Sequence, residues 1–273
     1  MNAFERLLQR LALRPGDDPG CWIGGAGSGG VTANNRLYGG LVIAQAAVAA
    51  ARTFPDRHMH AMHANFLRPG RPDSDIAYQV IATKHGRSFG TCTVTALQDG
   101  KPILTMLASF AAFDGGPSHQ SPMPEAPEPL GLPNRDALRG RDPTRSAVID
   151  VRLCDPLTGS EPLPPAKRVW MKPTAPLPED PVMQLAVLVY ATDRTLLGTA
   201  WRPHADRGQL AGASLDHSIW LHVPARFDDW LLYTMESPAA AHGRGLVHGH
   251  LHRADGTLIA SVAQQGTLTF SPR

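Results

Sequence analysis

The sequence predicts an α+β protein made of two copies of one unit, each an apolar helix followed by an antiparallel meander. Three observations predict it. Two helix-like runs nearly free of charge, Gly39 to Thr53 and Pro181 to Gly198, are each followed by four strand-like runs. Turn landmarks repeat, with Gly100 and Gly256 standing 156 residues apart and Pro69 and Pro224 155 apart, so the register belongs to whole halves. Between the halves, Asp114 to Arg145 carries seven prolines, too many for a helix or a sheet interior.

Taken in order, Phe4, Leu7, Leu8 and Leu11 follow helical spacing, with Glu5, Arg6, Gln9 and Arg10 among them. That is a short amphipathic helix, and its charges exclude the apolar core of a signal peptide. Gly39 to Thr53 enters through two glycines and is closed by Pro55; its near-absence of charge predicts burial. Strands are expected at His58 to Arg68, Asp75 to Lys84, Ser88 to Gln98 and Lys101 to Phe113, with Asp99-Gly100 as the last hairpin turn. Past the proline-rich linker, Ala147 to Leu153 and Arg168 to Lys172 read as added strands of a second sheet. The second helix opens at Pro181, a tolerated first-turn position. Strands follow at Ser214 to Val223, Trp230 to Glu236, Gly245 to Arg253 and Thr257 to Phe270, with Asp255-Gly256 as the matching turn. The expected division is a first domain over 1–116, a linker over 117–145 and a second domain over 146–273. A unit of this kind, duplicated, can bury its open sheet edge against its twin.

The 273 residues are ordinary for a globular chain, with 42% hydrophobic and 18% charged. A net charge of +2, with Lys and Arg scattered, leaves no polyanion footprint, so nucleic acid is not an expected partner. Cys21, Cys92 and Cys154 are odd in number and far apart, which excludes a disulfide framework and a zinc motif and points to a reducing cytoplasm. No apolar run approaches the roughly 20 residues of a membrane span.

The runs Phe66-Leu67-Arg68-Pro69-Gly70, Tyr190-Ala191-Thr192-Asp193, Ser214-Leu215-Asp216-His217-Ser218 and Val262-Ala263-Gln264-Gln265-Gly266, in this order, resemble the acyl-CoA thioesterase II family. The resemblance extends from about Gly30 to the C-terminus. It implies a tandem (double) hotdog fold, a fatty acyl-CoA substrate, no cofactor and a homo-oligomer. Carried over position by position, it implies a catalytic trio of Asp193, Ser214 and Gln264, all in the second half. Gln265 stands where the family commonly has Glu, and Ala44 where its first helix often has Gly.

These residue types suit the chemistry. A thioester carbonyl is already activated and a thiolate leaves readily, so the task is to place and deprotonate a water. A carboxylate can take the proton, while a hydroxyl and an amide orient the water without competing for it. The first half lacks the set: Ala108 stands in the register of Gln264, and Ala46, Ala47 and Val48 are the expected counterparts of the Asp193 region. Two other activities fit the fold, a non-catalytic acyl-CoA binding protein and an enoyl-CoA hydratase using Asp216 and His217. Adjacent strand residues point to opposite faces, which disfavours that pair.

Other motifs read as structural. Gly25 to Gly30 matches GxGxxG without a strand and helix around it, and Gly212 to Asp216 lacks the last Gly of a nucleophile elbow. His248, His250 and His252 share one strand face but have no acidic neighbour, so a solvated face is expected, as for His58, His60 and His63. Phe66, Trp170, Trp220 and Trp230 are candidates to line an acyl tunnel, and Arg68, Arg71, Lys84 and Arg87 to meet CoA phosphates.

Overall fold

A computed structural model describes residues 1–26, 36–112, 115–142 and 147–271. Helix α1 (Ala3–Leu11) opens on a capping box between Asn2 and Glu5 and buries Phe4, Leu7 and Leu11, the face its spacing marks. Strands β1 (Arg14–Pro15) and β2 (Cys21–Gly24) follow; at two and four residues they are too short to show alternation in sequence. Helix α2 (Gly39–Ala51) is buried on every side from Gly40 to Ala51. Strands β3 (His58–Phe66), β4 (Ile76–His85), β5 (Phe89–Gln98) and β6 (Lys101–Ala111) complete the first half. Strands β7 (Ile149–Leu153) and β8 (Ala166–Pro173) begin the second, ahead of helix α3 (Pro181–Thr192), itself buried from Gln184 to Thr192. Then come β9 (Gln209–Leu210), β10 (Asp216–Leu221), β11 (Leu231–Ala241), β12 (Arg244–Arg253), β13 (Leu258–Thr267) and β14 (Phe270–Ser271).

Twelve of these strands form one antiparallel sheet in the order β1-β2-β4-β5-β6-β3-β10-β13-β12-β11-β8-β7. The halves join where β3 pairs with β10, from Asn65 opposite Asp216 to Ala61 opposite Trp220. Each half thereby closes the other's open edge. The paired helices lie against the inner face, and alternate residues of β5, β6, β12 and β13 point into the same core.

Small residues let α2 and α3 approach closely. A Cβ on Gly40 would lie 2.7 Å from the Tyr190 carbonyl oxygen and 2.4 Å from the Tyr38 ring. Tyr38 also donates its hydroxyl to that carbonyl at 3.0 Å, and the two rings meet edge to face at 5.0 Å. Gly40→Ala is expected to destabilise the fold by about 1–3 kcal/mol, the usual range for overpacking. A melting temperature equal to the parent's would show that the helices separate at no cost.

Several boundaries differ from expectation. The second helix, expected to Gly198, stops at Thr192 with Asp193 as its C-cap, and Thr195 lies at φ +82°. A β-branched residue in that region cannot continue a helix, although the apolar spacing runs on through Leu196 and Leu197. The strand expected from Ser214 begins at Asp216. Ser214 makes only an isolated bridge to Gly266, one residue out of step with Ser218 opposite Ala263. Asp216 accepts the Gln265 N–H at 2.7 Å, so a side chain takes a donor the ladder would use, as at a bulge. The run from Trp230 extends to Ala241, and the last run divides into β13 and β14.

The proline-rich segment packs on the second half. Trp170 donates to the Pro127 carbonyl and Arg168 to that of Glu125, each at 2.8 Å, and Gln120 bridges the Gly256 carbonyl and the Leu258 N–H. His248, His250 and His252 do share a face, yet His252 is buried rather than solvated. Among the described residues no three groups are arranged to hold a metal ion.

Candidate active site

Asp193 sits where α3 ends, and the strands beneath bring Gln264 to it. Gln264, on the inner face of β13 and fully buried, donates from Nε2 to Asp193 Oδ1 at 2.7 Å. The same nitrogen lies 3.1 Å from Nδ1 of His217 on the neighbouring strand β10. His217 Nε2 is 2.9 Å from Thr192 Oγ1, whose hydroxyl donates to the Val189 carbonyl at 2.8 Å. Tyr233 on β11 donates to the Thr192 carbonyl at 3.0 Å and so ties down the last turn of α3. Gln264 Oε1 is buried without a hydrogen-bond partner among the described residues. A buried acceptor needs one, and a water is the partner that fits.

Among the described residues the first half has none of this. Met62 faces Ala108 in its β3–β6 ladder, in the register of His217 and Gln264. The structural counterpart of Asp193 is Arg52, the C-cap of α2, not the expected Ala46 to Val48. Segments between helix and first strand differ in length in the two halves, so the strand offset does not carry over to the helices. Arg52 instead holds the segment that follows α1, donating to the Leu13 carbonyl at 2.8 Å and stacking on Trp22.

Ser214 is brought to the same strand pair but not into the hydrogen-bonded set. It lies opposite Gly266, two residues along the inner face from Gln264, and is half-buried. Among the described residues its hydroxyl bonds neither Asp193 nor Gln264. A Cβ on Gly266 would stand 2.5 Å from the Leu197 side chain and 3.0 Å from the Ala213 carbonyl oxygen, so a larger residue there would push Leu197 aside. As expected, Asp216 and His217 face opposite sides, the first onto the Gln265 backbone and the second into the core.

Burial lowers the His217 pKa, against the raising influence of Asp193 and Asp216. Burial first, and Asp193 second, hold the Tyr38 and Tyr233 phenols well above their usual value. The first turn of α2 abuts the carboxylate: a Cβ on Gly39 would be 3.1 Å from Asp193 Oδ2 and 3.0 Å from the Phe66 ring. Tyr38, the N-cap, supplies no side-chain hydrogen bond to that turn. Arg194, beside Asp193, is not solvent-facing but pairs with the buried Asp136 at 2.9 Å.

A cleft of about 880 Å³ opens beside Asp193, and Arg135, Arg139, Lys167, Arg168 and Arg202 line it. Asp155 pairs with Arg168 at 2.9 Å. Among the described residues no acid pairs with Arg139, Lys167 or Arg202. Arg202 reaches the Pro164 and Pro156 carbonyls, and Lys167 reaches that of Thr195. Burial, then Arg139 and Arg194, push Arg135 down to about 10, and burial with Arg135 lowers Lys167 well below its usual value. Five cations against two acids, Asp155 and Asp193, in the lining favour an anionic ligand.

The sequence reading missed these cations and named others. Arg71 is bound to Asp99 and Asp73, Arg68 donates to the Pro102 carbonyl, and neither they nor Lys84 and Arg87 line the cleft. Of the aromatic candidates only Phe66 nears the carboxylate; Trp220 is exposed on the outer face and Trp170 lies under the linker. Strand β2 does precede Gly25, but Gly27 to Gly30 lie outside the described residues.

Residues 144–267 match the family described as "Acyl-CoA thioesterase", and residues 28–111 the "Acyl-CoA thioesterase N-terminal domain". The chain is 37% identical over 266 residues to acyl-coenzyme A thioesterase 8 of Rattus norvegicus, covering 89% of this chain and 83% of that protein. Acyl-CoA thioesterase 2 of Haemophilus influenzae is 34% identical, covering 86% and 88%. Among solved structures, an acyl-CoA thioesterase II of Mycobacterium marinum matches at a TM-score of 0.82 and 36% identity, covering 97% of this chain and 98% of that one.

Proposed function

The chain belongs to the acyl-CoA thioesterase family, a double hotdog enzyme that hydrolyses acyl-CoA thioesters, and we propose that it does so with a water held by Asp193, Ser214 and Gln264. The observation that carries the proposal is the Asp193–Gln264 hydrogen bond at the edge of a cleft that Asp193 lines, with Gln264 Oε1 buried and without a partner among the described residues. Asp193 takes a proton as the water oxygen attacks the thioester carbonyl. The tetrahedral intermediate then expels the CoA thiolate, which recovers the proton from Asp193. Gln264 Oε1 and the Ser214 hydroxyl orient the water, and the uncapped N–H groups of the first turn of α2 are the donors assigned to the oxyanion. Purified protein should release free thiol and free acid in equal amounts from straight-chain acyl-CoAs. Tight binding without thiol release would instead identify an acyl-CoA binding protein.

The CoA phosphates are assigned to the cationic cleft. Arg139 is exposed at its rim and has no acidic partner among the described residues, so it is the residue to test. Arg139→Glu should raise KM for acyl-CoA about 5-fold or more, flatten its salt dependence and change kcat less than about 2-fold. An unchanged KM would remove the phosphates from this cleft. Fatty acyl groups as substrates, a cytoplasmic location and a homo-oligomeric form belong to the same reading. The three free cysteines support the location, and Phe89, Leu107 and Trp220, exposed on the outer sheet face, support the oligomer. Domains over 1–116 and 146–273 with a linker over 117–145 are supported by the absence of strands among the described residues between β6 and β7.

A further inference from the structure

We propose that His217 is a positioning residue that fixes the amide of Gln264, holding both its N–H groups so that Oε1 alone faces the attacking water. The inference rests on the assignment of Gln264 to the water site.

An amide next to a water can present either oxygen or nitrogen, and only the oxygen accepts a hydrogen bond from the nucleophilic water, leaving its proton to Asp193. The network settles which. Thr192 spends its hydroxyl hydrogen on the Val189 carbonyl, so towards His217 Nε2, 2.9 Å away, it can only accept. Nε2 therefore carries the imidazole hydrogen and Nδ1 is a bare acceptor. One Gln264 N–H goes to that Nδ1 at 3.1 Å and the other to Asp193 Oδ1 at 2.7 Å. Both amide hydrogens are thus committed, and Oε1 is buried without a partner among the described residues. Burial disfavours the charged imidazole, in which an N–H at Nδ1 would oppose the amide hydrogens. The other half of the repeat, with Met62 facing Ala108, has neither the amide nor its holder.

The test compares His217→Met, the residue of the silent half, with His217→Asn, whose Oδ1 can replace Nδ1 as an acceptor. Packing alone would favour Met, which fills more of the space; positioning favours Asn. The expected result is a kcat loss of about 10-fold for Met with KM within about 2-fold, and recovery to within about 3-fold of the parent for Asn. In a Gln264→Met background, His217→Met should add almost nothing. Should His217→Met not fold, Thr192→Val supplies the same test, because it frees the imidazole tautomer and should lower kcat a few-fold at constant KM. If Gln264→Met slows turnover but His217→Asn is no better than His217→Met, or Thr192→Val keeps the full rate, the positioning role is overturned. If Gln264→Met itself keeps the full rate, the water-site assignment fails instead.

Discussion

Asp193→Asn will lower kcat by about 10² or more while leaving the fold intact. Asn keeps the size of the side chain and an oxygen that can still accept from Gln264 Nε2, now 2.7 Å from Asp193 Oδ1, so geometry is preserved and only the proton acceptor is lost. Stability should hold or rise. A carboxylate at the C-cap of α3 sits at the negative end of the helix dipole, an arrangement worth about 0.3–1 kcal/mol against the fold. A group placed against stability beside a cleft is placed there for another reason. Measured kcat within about 3-fold of the parent would remove Asp193 from the chemistry, and a collapsed melting temperature would make it a structural residue.

The second large effect is expected at Gln264→Met. Loss of the amide leaves the proposed water without its oriented acceptor and Asp193 Oδ1 without its donor, and misplacement of a reacting group by about 1 Å can cost about 10²-fold. We expect kcat to fall by about 10-fold to 10²-fold. The melting temperature should move little, since two effects oppose one another. Met removes a buried acceptor that has no partner among the described residues, worth about 1–3 kcal/mol, but orphans His217 Nδ1. Full activity in a folded Gln264→Met variant would contradict the water site.

The repeat was legible because it is written in features that survive without coordinates: two charge-poor helices and two hairpin turns, Asp99-Gly100 and Asp255-Gly256, at matching positions. Period-two alternation likewise placed Asp216 and His217 on opposite faces. The helix end at Asp193 was not legible, since Leu196 and Leu197 continue the apolar spacing past a turn that only the backbone angle of Thr195 reveals. Nor was the cationic cleft. Arg135 and Arg139 come from the linker, Lys167 from β8 and Arg202 from beyond α3, and only folding brings them together. His217 stood out in the sequence only as half of a disfavoured dyad with Asp216, and its partners Thr192 and Gln264 lie 25 and 47 residues away, beyond any local motif.

In the proposed mechanism water itself attacks the thioester, and oxygen labelling tests this step. A single turnover with enzyme in excess, run in ¹⁸O water, should place one ¹⁸O in the released acid and none in the protein. Label in the Asp193 carboxylate would mean that this side chain, not water, attacks first, and would contradict the mechanism.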